Sequence, residues 1–177
     1  MIPELSDGDP RLADMTDARD ADGPVDFVAM AEQIATEKHA GATDQAGAPY
    51  IDHPRRVAAR VKSLGGSDHQ VAAAWLHDVI EDTDTTAADL LAAGIPAETV
   101  DMVIAVTKQD GEPVEQYIKR IVSTPGALLV KRADLADNTD PDRVAALQRL
   151  DPAKALRLKS KYAEFIAQLD AATAKAV

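Results

Sequence analysis

The sequence predicts an all-α fold, a single-domain bundle of helices, on three observations. Hydrophobic residues make up 46% of the 177 but aromatics only 3%, so the core has to be assembled from Ala, Leu, Val and Ile, side chains small enough for helices to pack closely. Apolar positions recur at helical spacing in one segment after another, each bounded by a cap, a glycine or a proline. The only β-like run, Leu128 to Val130, is too short and too isolated to be a persuasive strand.

Residues 1–24 are rich in Asp, Gly and Pro without a sustained period and read as a mobile acidic tail, leaving 25–177 as the folded domain. Val25 to Ala40 carries an apolar stripe at Phe27, Val28, Ala31, Ile34 and Ala35, closed by Gly41. A loop with Gly47 and Pro49 follows. His53-Pro54 then reads as an N-cap with proline at the first helical position, opening a helix through Val57, Val61 and Leu64 to Gly65-Gly66. Ser67 and Gln70 form a capping box for a helix from Val71 to about Asp82, in which Ala72, Ala73 and Ala74 permit close approach. Thr86 to Asp89 starts another, closed by Gly94, and Pro96 opens the next, with Val100, Val103, Ile104 and Val106 as its apolar positions. After a turn over Gln109 to Pro113, Val114 to Ser123 is a short helix with Tyr117, Ile118 and Ile121 inward. Pro125-Gly126 breaks it, and an apolar helix from Ala127 reaches Asp134 and Asn138. Asp140-Pro141 and Asp151-Pro152 each pair an N-cap with a proline. The last helix runs from Ala153 towards Ala174, with Leu156, Leu158, Tyr162, Phe165, Ile166 and Leu169 as apolar positions.

Composition narrows the function. With no cysteine, disulfides, thiolate metal sites and cysteine nucleophiles are excluded. A formal charge of −11 argues against non-specific binding to nucleic acid or to a membrane surface, both of which need cationic surface. No apolar run approaches the ~20 residues that span a bilayer, and the acidic N-terminus lacks the basic and apolar regions of a secretory signal. The expectation is a soluble cytoplasmic protein. The oligomeric state is left open, with a homodimer allowed for.

Chemistry concentrates in Trp75-Leu76-His77-Asp78-Val79-Ile80-Glu81-Asp82. His77 and Asp78 offer a mixed nitrogen and oxygen pair suited to a first-row divalent metal. On a continuous helix Glu81 would lie beneath His77 and Asp82 beneath Asp78. Two ligands with two free carboxylates are the skeleton of a metal-water hydrolase: the metal acidifies a water, and Glu81 and Asp82 handle its proton. The pair cannot close a coordination shell alone. His53 sits at a helix mouth, and Asp134 follows an apolar run where an unpaired charge would be costly. Together His53, His77, Asp78 and Asp134 supply two imidazoles and two carboxylates, a set suited to Mn, Fe, Co, Ni or Zn rather than Ca or Mg. Basic residues beside the motifs are candidates for phosphate contacts, foremost Arg143 and Lys38.

The order H…HD…ED…D resembles the HD phosphohydrolase superfamily, and more closely its alarmone-hydrolase branch, the hydrolase domain of the Rel/SpoT enzymes and the free-standing small alarmone hydrolases. The matching segments are His39-Ala40-Gly41, Gly47 to Pro54, Leu76 to Asp84 and Val130 to Asn138, within a resemblance over roughly Phe27 to Leu169. It implies an HD-type helical bundle, usually with Mn2+ held by His53, His77, Asp78 and Asp134, and Glu81 and Asp82 activating or placing the water. It further implies nucleotide contacts from Asn138 and Tyr162. The implied reaction removes the 3′-pyrophosphate of ppGpp or pppGpp. One departure stands out. After His39-x-Gly41 the family has a basic residue that packs on guanine, whereas here the place is taken by Asp44-Gln45; the lost stacking is worth about 1 kcal/mol. The alternatives are a phosphohydrolase for another nucleotide, such as a deoxynucleotide or NADPH, and a non-catalytic nucleotide-binding scaffold.

Overall fold

The computed structural model describes residues 26–45 and 47–175; the acidic tail expected over 1–24 lies outside them. Among the described residues there are ten helices: α1 (Phe27–Lys38), α2 (Asp52–Ser63), α3 (Asp68–Leu76), α4 (Val79–Asp82), α5 (Ala87–Ala92), α6 (Ala97–Val106), α7 (Val114–Ser123), α8 (Ala127–Asn138), α9 (Pro141–Leu150) and α10 (Pro152–Lys175). The only β pairing described is one isolated bridge, Thr43 to Pro49, in the loop before α2. The all-α expectation holds.

The layout follows from α3. Its capping box forms as the sequence predicts, with Ser67 accepting from the Gln70 amide and the Gln70 side chain reaching back to Ser67. Every residue from Val71 to Leu76 is buried, and α1, α2, α6 and α8 pack against it. Ala72, Ala73 and Ala74 let those neighbours come close, and they sit in the main apolar cluster with Val57, Val61, Val103 and Val130. A second cluster joins α7, α8 and α10 through Tyr117, Ile118, Ile121, Leu135 and Leu169, backed by Phe165 and Tyr162. Leu156 is not part of it: on α10 it is 66% exposed, because the helix presents that position away from α7 and α8.

Two expectations are corrected. The helix that was to run unbroken from Val71 to Asp82 ends at Leu76, and α4 restarts at Val79. The His77 imidazole explains the break: its Nδ1 donates to the Ala74 carbonyl at 2.8 Å, the acceptor that a continuing helix would offer to the Asp78 amide. The second concerns α2, whose N-cap is Ile51, not His53. The Asp52 and His53 amides already bond the Pro49 and Tyr50 carbonyls, so the turn winds directly into helix and His53 falls inside the first turn, buried.

α8 is launched by Gly126, whose φ of +83° is left-handed; a Cβ there would lie 2.7 Å from the Met102 Cε. The left-handed φ is what calls for glycine; the Met102 thioether end is flexible and could shift from a Cβ.

Candidate metal centre

Three elements meet at the site: α2 brings His53, the α3–α4 break brings His77 and Asp78, and α8 brings Asp134. Both imidazoles are fixed from behind. His77 Nδ1 donates to the Ala74 carbonyl, which only accepts, so Nε2 carries the lone pair. His53 Nδ1 donates to Asp137 Oδ2 at 2.7 Å with the same result. The two Nε2 atoms then face each other 3.1 Å apart. Asp78 Oδ2 lies 3.1 Å from His77 Nε2 and 3.5 Å from His53 Nε2. Asp134 Oδ1 lies 3.4 Å from His53 Nε2 and 3.7 Å from His77 Nε2. Donor atoms each about 2.0–2.2 Å from one ion are separated by roughly 3–4 Å, so the spacing of His53, His77 and Asp78 fits a shared cation, with Asp134 beside the two imidazoles. The chemistry fits as well: two imidazole nitrogens and two carboxylate oxygens are a donor set that attracts positive charge, supplied by protons or by a divalent cation.

Protons answer the same demand. Burial pushes the His53 pKa down, but hydrogen bonding to Asp134 and Asp137 outweighs it and the imidazole ends above its usual range. For His77 burial is again the largest effect, and the Asp78 charge and the Asp134 contact overcome it, leaving the pKa well above the free value. Burial raises Asp78, yet the charge and hydrogen bond of His77 bring its pKa down to about 2. Asp134 is held well below the ordinary carboxylate range: burial opposes this, and Lys131 leads the groups that impose it.

A supporting layer surrounds the four. Asp137 accepts from His53 and, through both oxygens, from Arg56 at 2.7 and 3.1 Å. Tyr50 donates to Asp78 Oδ2 at 2.5 Å and also feels Asp82. The buried Lys131 ammonium takes the other oxygen of Asp134 at 2.8 Å and lies over the Tyr117 and Phe165 rings. From sequence, Lys131 was a cation beside the motif and a candidate ion-pair partner of Asp134, a pairing that the structure shows; Asp137 and Tyr50 received no role. A signal for Asp137 existed: it is three residues beyond Asp134, hence on the same helix face.

The remaining sequence-predicted residues divide. Asn138 donates to Asp134 Oδ1 at 2.5 Å, and Tyr162, half-buried in the second cluster, senses the charges of Asp134, Lys131 and Asp78. Asp82 adjoins Tyr50, whereas Glu81 Oε2 accepts from the Lys108 amide at 3.0 Å, facing the 107–111 loop. Arg143 reaches Asp44 and Asp137, each at 3.4 Å. Lys38 is not brought to the cluster; it pairs with Asp84 at the surface, 3.2 Å away.

Comparison with known proteins agrees with this geometry. A family profile described as HD domain matches residues 31–152. The chain belongs to the HD domain family. An HD domain implies a divalent metal, and His53, His77 and Asp78 form the donor cluster available to this one, all within 4.8 Å of one another. This HD domain is 35% identical over 119 residues to a guanosine-3′,5′-bis(diphosphate) 3′-pyrophosphohydrolase of Aquifex aeolicus, covering 63% of this chain and 17% of that one. It is 32% identical over 147 residues to the bifunctional (p)ppGpp synthase/hydrolase RelA of Mycobacterium tuberculosis, covering 78% of this chain and 19% of that one. The HD domain thus spans about a fifth of the length of these curated relatives. Its fold matches a solved metazoan ortholog of SpoT described as hydrolyzing ppGpp, with a TM-score of 0.56, 24% identity, and coverage of 84% of this chain and 98% of that one. Among the described residues no helix is long and apolar enough to cross a membrane.

Proposed function

We propose that the chain is a metal-dependent nucleotide phosphohydrolase that removes the 3′-pyrophosphate of ppGpp or pppGpp. One observation supports the reading: side chains far apart in sequence, His53, His77 and Asp78, cluster their donor atoms inside an HD domain, with Asp134 Oδ1 3.4 Å from His53 Nε2. The similarity to ppGpp 3′-pyrophosphohydrolases over most of this chain supports the choice of substrate.

The four residues would hold the metal, with Mn2+ the preferred ion and Fe, Co, Ni or Zn compatible with the donors. A divalent cation there supplies Lewis acidity, polarising a phosphoryl oxygen and lowering the pKa of water. Around it, Asp137 and the Ala74 carbonyl hold the two imidazoles in the ligating tautomer, and Lys131 and Asn138 keep Asp134 aimed inward. In the reaction, water displaces the ribose 3′ oxygen at phosphorus, giving pyrophosphate and GDP or GTP. Asp82 and Glu81 take the proton of the water and return one to the departing oxygen; Glu81 leaves the Lys108 amide to do so. Asn138, Tyr162 and Arg143 line the approach of the nucleotide. Lys38 would have to leave Asp84 to reach a phosphate.

A second reading concerns the base. Asp44 stands where the family carries a cation, and it engages Arg143 at 3.4 Å, an arrangement that favours a nucleotide other than a guanine alarmone. The test is direct: incubate the Mn2+-loaded protein with ppGpp, deoxynucleoside triphosphates and NADPH and follow pyrophosphate and phosphate release. Pyrophosphate with GDP from ppGpp is expected. Bound metal without turnover of any of them would leave a nucleotide-binding scaffold. A Glu81→Ala/Asp82→Ala double variant is expected to retain Mn2+ and lose hydrolysis; full activity would refute the roles assigned to the two acids.

A further inference from the structure

Between α2 and the α8–α9 junction lies a cleft of about 560 Å³ lined by Arg56, Arg60, Ser63, Asp137, Asp140 and Arg143. The size is within the roughly 300–1,000 Å³ of small-molecule sites. Its charge is unusual for a chain of net charge −11: three guanidinium groups gather against two carboxylates.

Those carboxylates are already committed. Asp137 serves His53 and Arg56. Asp140 caps α9 by accepting from the Asp142 and Arg143 amides. The arginines are not saturated in return. Arg56 engages Asp137 through Nε and Nη2 only, leaving Nη1. Arg143 Nε is buried, 3.4 Å from Asp137 Oδ2, yet makes no hydrogen bond. Arg60, one turn along α2 from Arg56, has no ion-pair partner among the described residues. Like charges four apart on a helix destabilise it, and a buried donor without an acceptor is costly. Both penalties vanish if an anion occupies the cleft.

We propose that this cleft is a phosphoryl-anion site, in which Arg60 and Arg143 grip a phosphate or diphosphate group and Arg56 Nη1 adds a third donor. Guanidinium forks match phosphate oxygens in pairs. The site needs no metal and does not rest on the hydrolase reading. The anion has two sources: a phosphate group of the nucleotide other than the one being cleaved, or free phosphate or pyrophosphate.

The test is calorimetric titration of inorganic pyrophosphate into the full chain freed of metal. Saturable one-to-one binding is expected. Arg60→Glu should weaken it by about tenfold or more, the weight of one charge-assisted hydrogen bond, while Arg60→Lys retains most of it. Circular dichroism of each variant checks that the exposed substitution leaves the helices intact. Absence of saturable binding, or equal affinity in Arg60→Glu, would overturn the proposal. Titrating ppGpp against guanosine 3′-diphosphate, which lacks the 5′ phosphates, separates the sources. If the nucleotide fills the cleft with its own 5′ phosphates, Arg60→Glu weakens only ppGpp. If a free anion does, both nucleotides bind the variant as they bind the wild type and only pyrophosphate is lost. Since no turnover is measured, failure here is distinguishable from failure of the hydrolase reading.

Discussion

Asp137 shows how much of a metal site lies outside its ligands. Nearly fully buried, it spans His53 and Arg56, so it sets the His53 tautomer while its own charge is held by a guanidinium. Asp137→Asn keeps an acceptor but loses the charge and half of the Arg56 fork. Mn2+ affinity is expected to fall about 10–100-fold, read by calorimetry; unchanged affinity would remove Asp137 from that role. A second prediction follows from the imidazoles. In metal-free protein both His53 and His77 sit above the ordinary 6.5, so the folded state holds protons that the unfolded state releases. That stabilisation is complete below pH 6.5 and is lost as pH rises through the raised folded-state values. Metal must displace the same protons. Mn2+ affinity should therefore climb with pH over this interval, and the gap in melting temperature between loaded and chelated protein should be wider at about pH 8.5 than at about pH 6.5. Equal gaps would contradict the assignment of His53 and His77 as ligands.

At the scale of elements, the decisive features are a break and a start. The break after Leu76 turns His77 back onto the Ala74 carbonyl and frees Asp78 to face His53 across the site. The start is Gly126, which sets α8 and with it Asp134, Asp137 and Asn138. Gly126→Ala would force a Cβ into the left-handed region and against Met102. A loss of about 1–3 kcal/mol in unfolding free energy is expected from denaturant titration, chiefly from backbone strain. Weakened metal binding should accompany it, since α8 shifts. The caps at Ser67, Thr86, Asp140 and Asp151 were legible because they rest on local hydrogen bonds between neighbours in the chain.

For the whole molecule, the candidate metal centre lies where α2, the α3–α4 break and α8 meet, units already joined by apolar packing and by the bonds of Asp137 to His53 and Arg56. A cation that binds this folded arrangement and not the unfolded chain would stabilise it by mass action. Removing metal with a chelator should therefore lower the melting temperature. At metal concentrations a hundredfold over Kd the linkage amounts to about 2.7 kcal/mol, or roughly 5–10 °C for a domain of this size. Differential scanning calorimetry with and without Mn2+ reads it directly. An identical melting temperature under saturating Mn2+ would mean that the cluster binds no metal in the folded state.

The all-α class and most of the helix starts were legible in the sequence, because periodicity and capping are local properties of the chain; the sequence also put forward His53, His77, Asp78 and Asp134, and the structure brings these four near one another. What tertiary structure alone decided is how those residues are held. That Asp137 orients His53 from 84 positions away, that Tyr50 bonds Asp78 across 28, and that Arg56, Arg60 and Arg143 line one cleft depend on the docking of α2 and the loop before it against α3 and α8. Even the helix break at His77 was hidden, since whether an imidazole takes its own helix's carbonyl is determined by what waits on the other side of the ring. Local energetics write the elements; long-range packing chooses which polar atoms face one another.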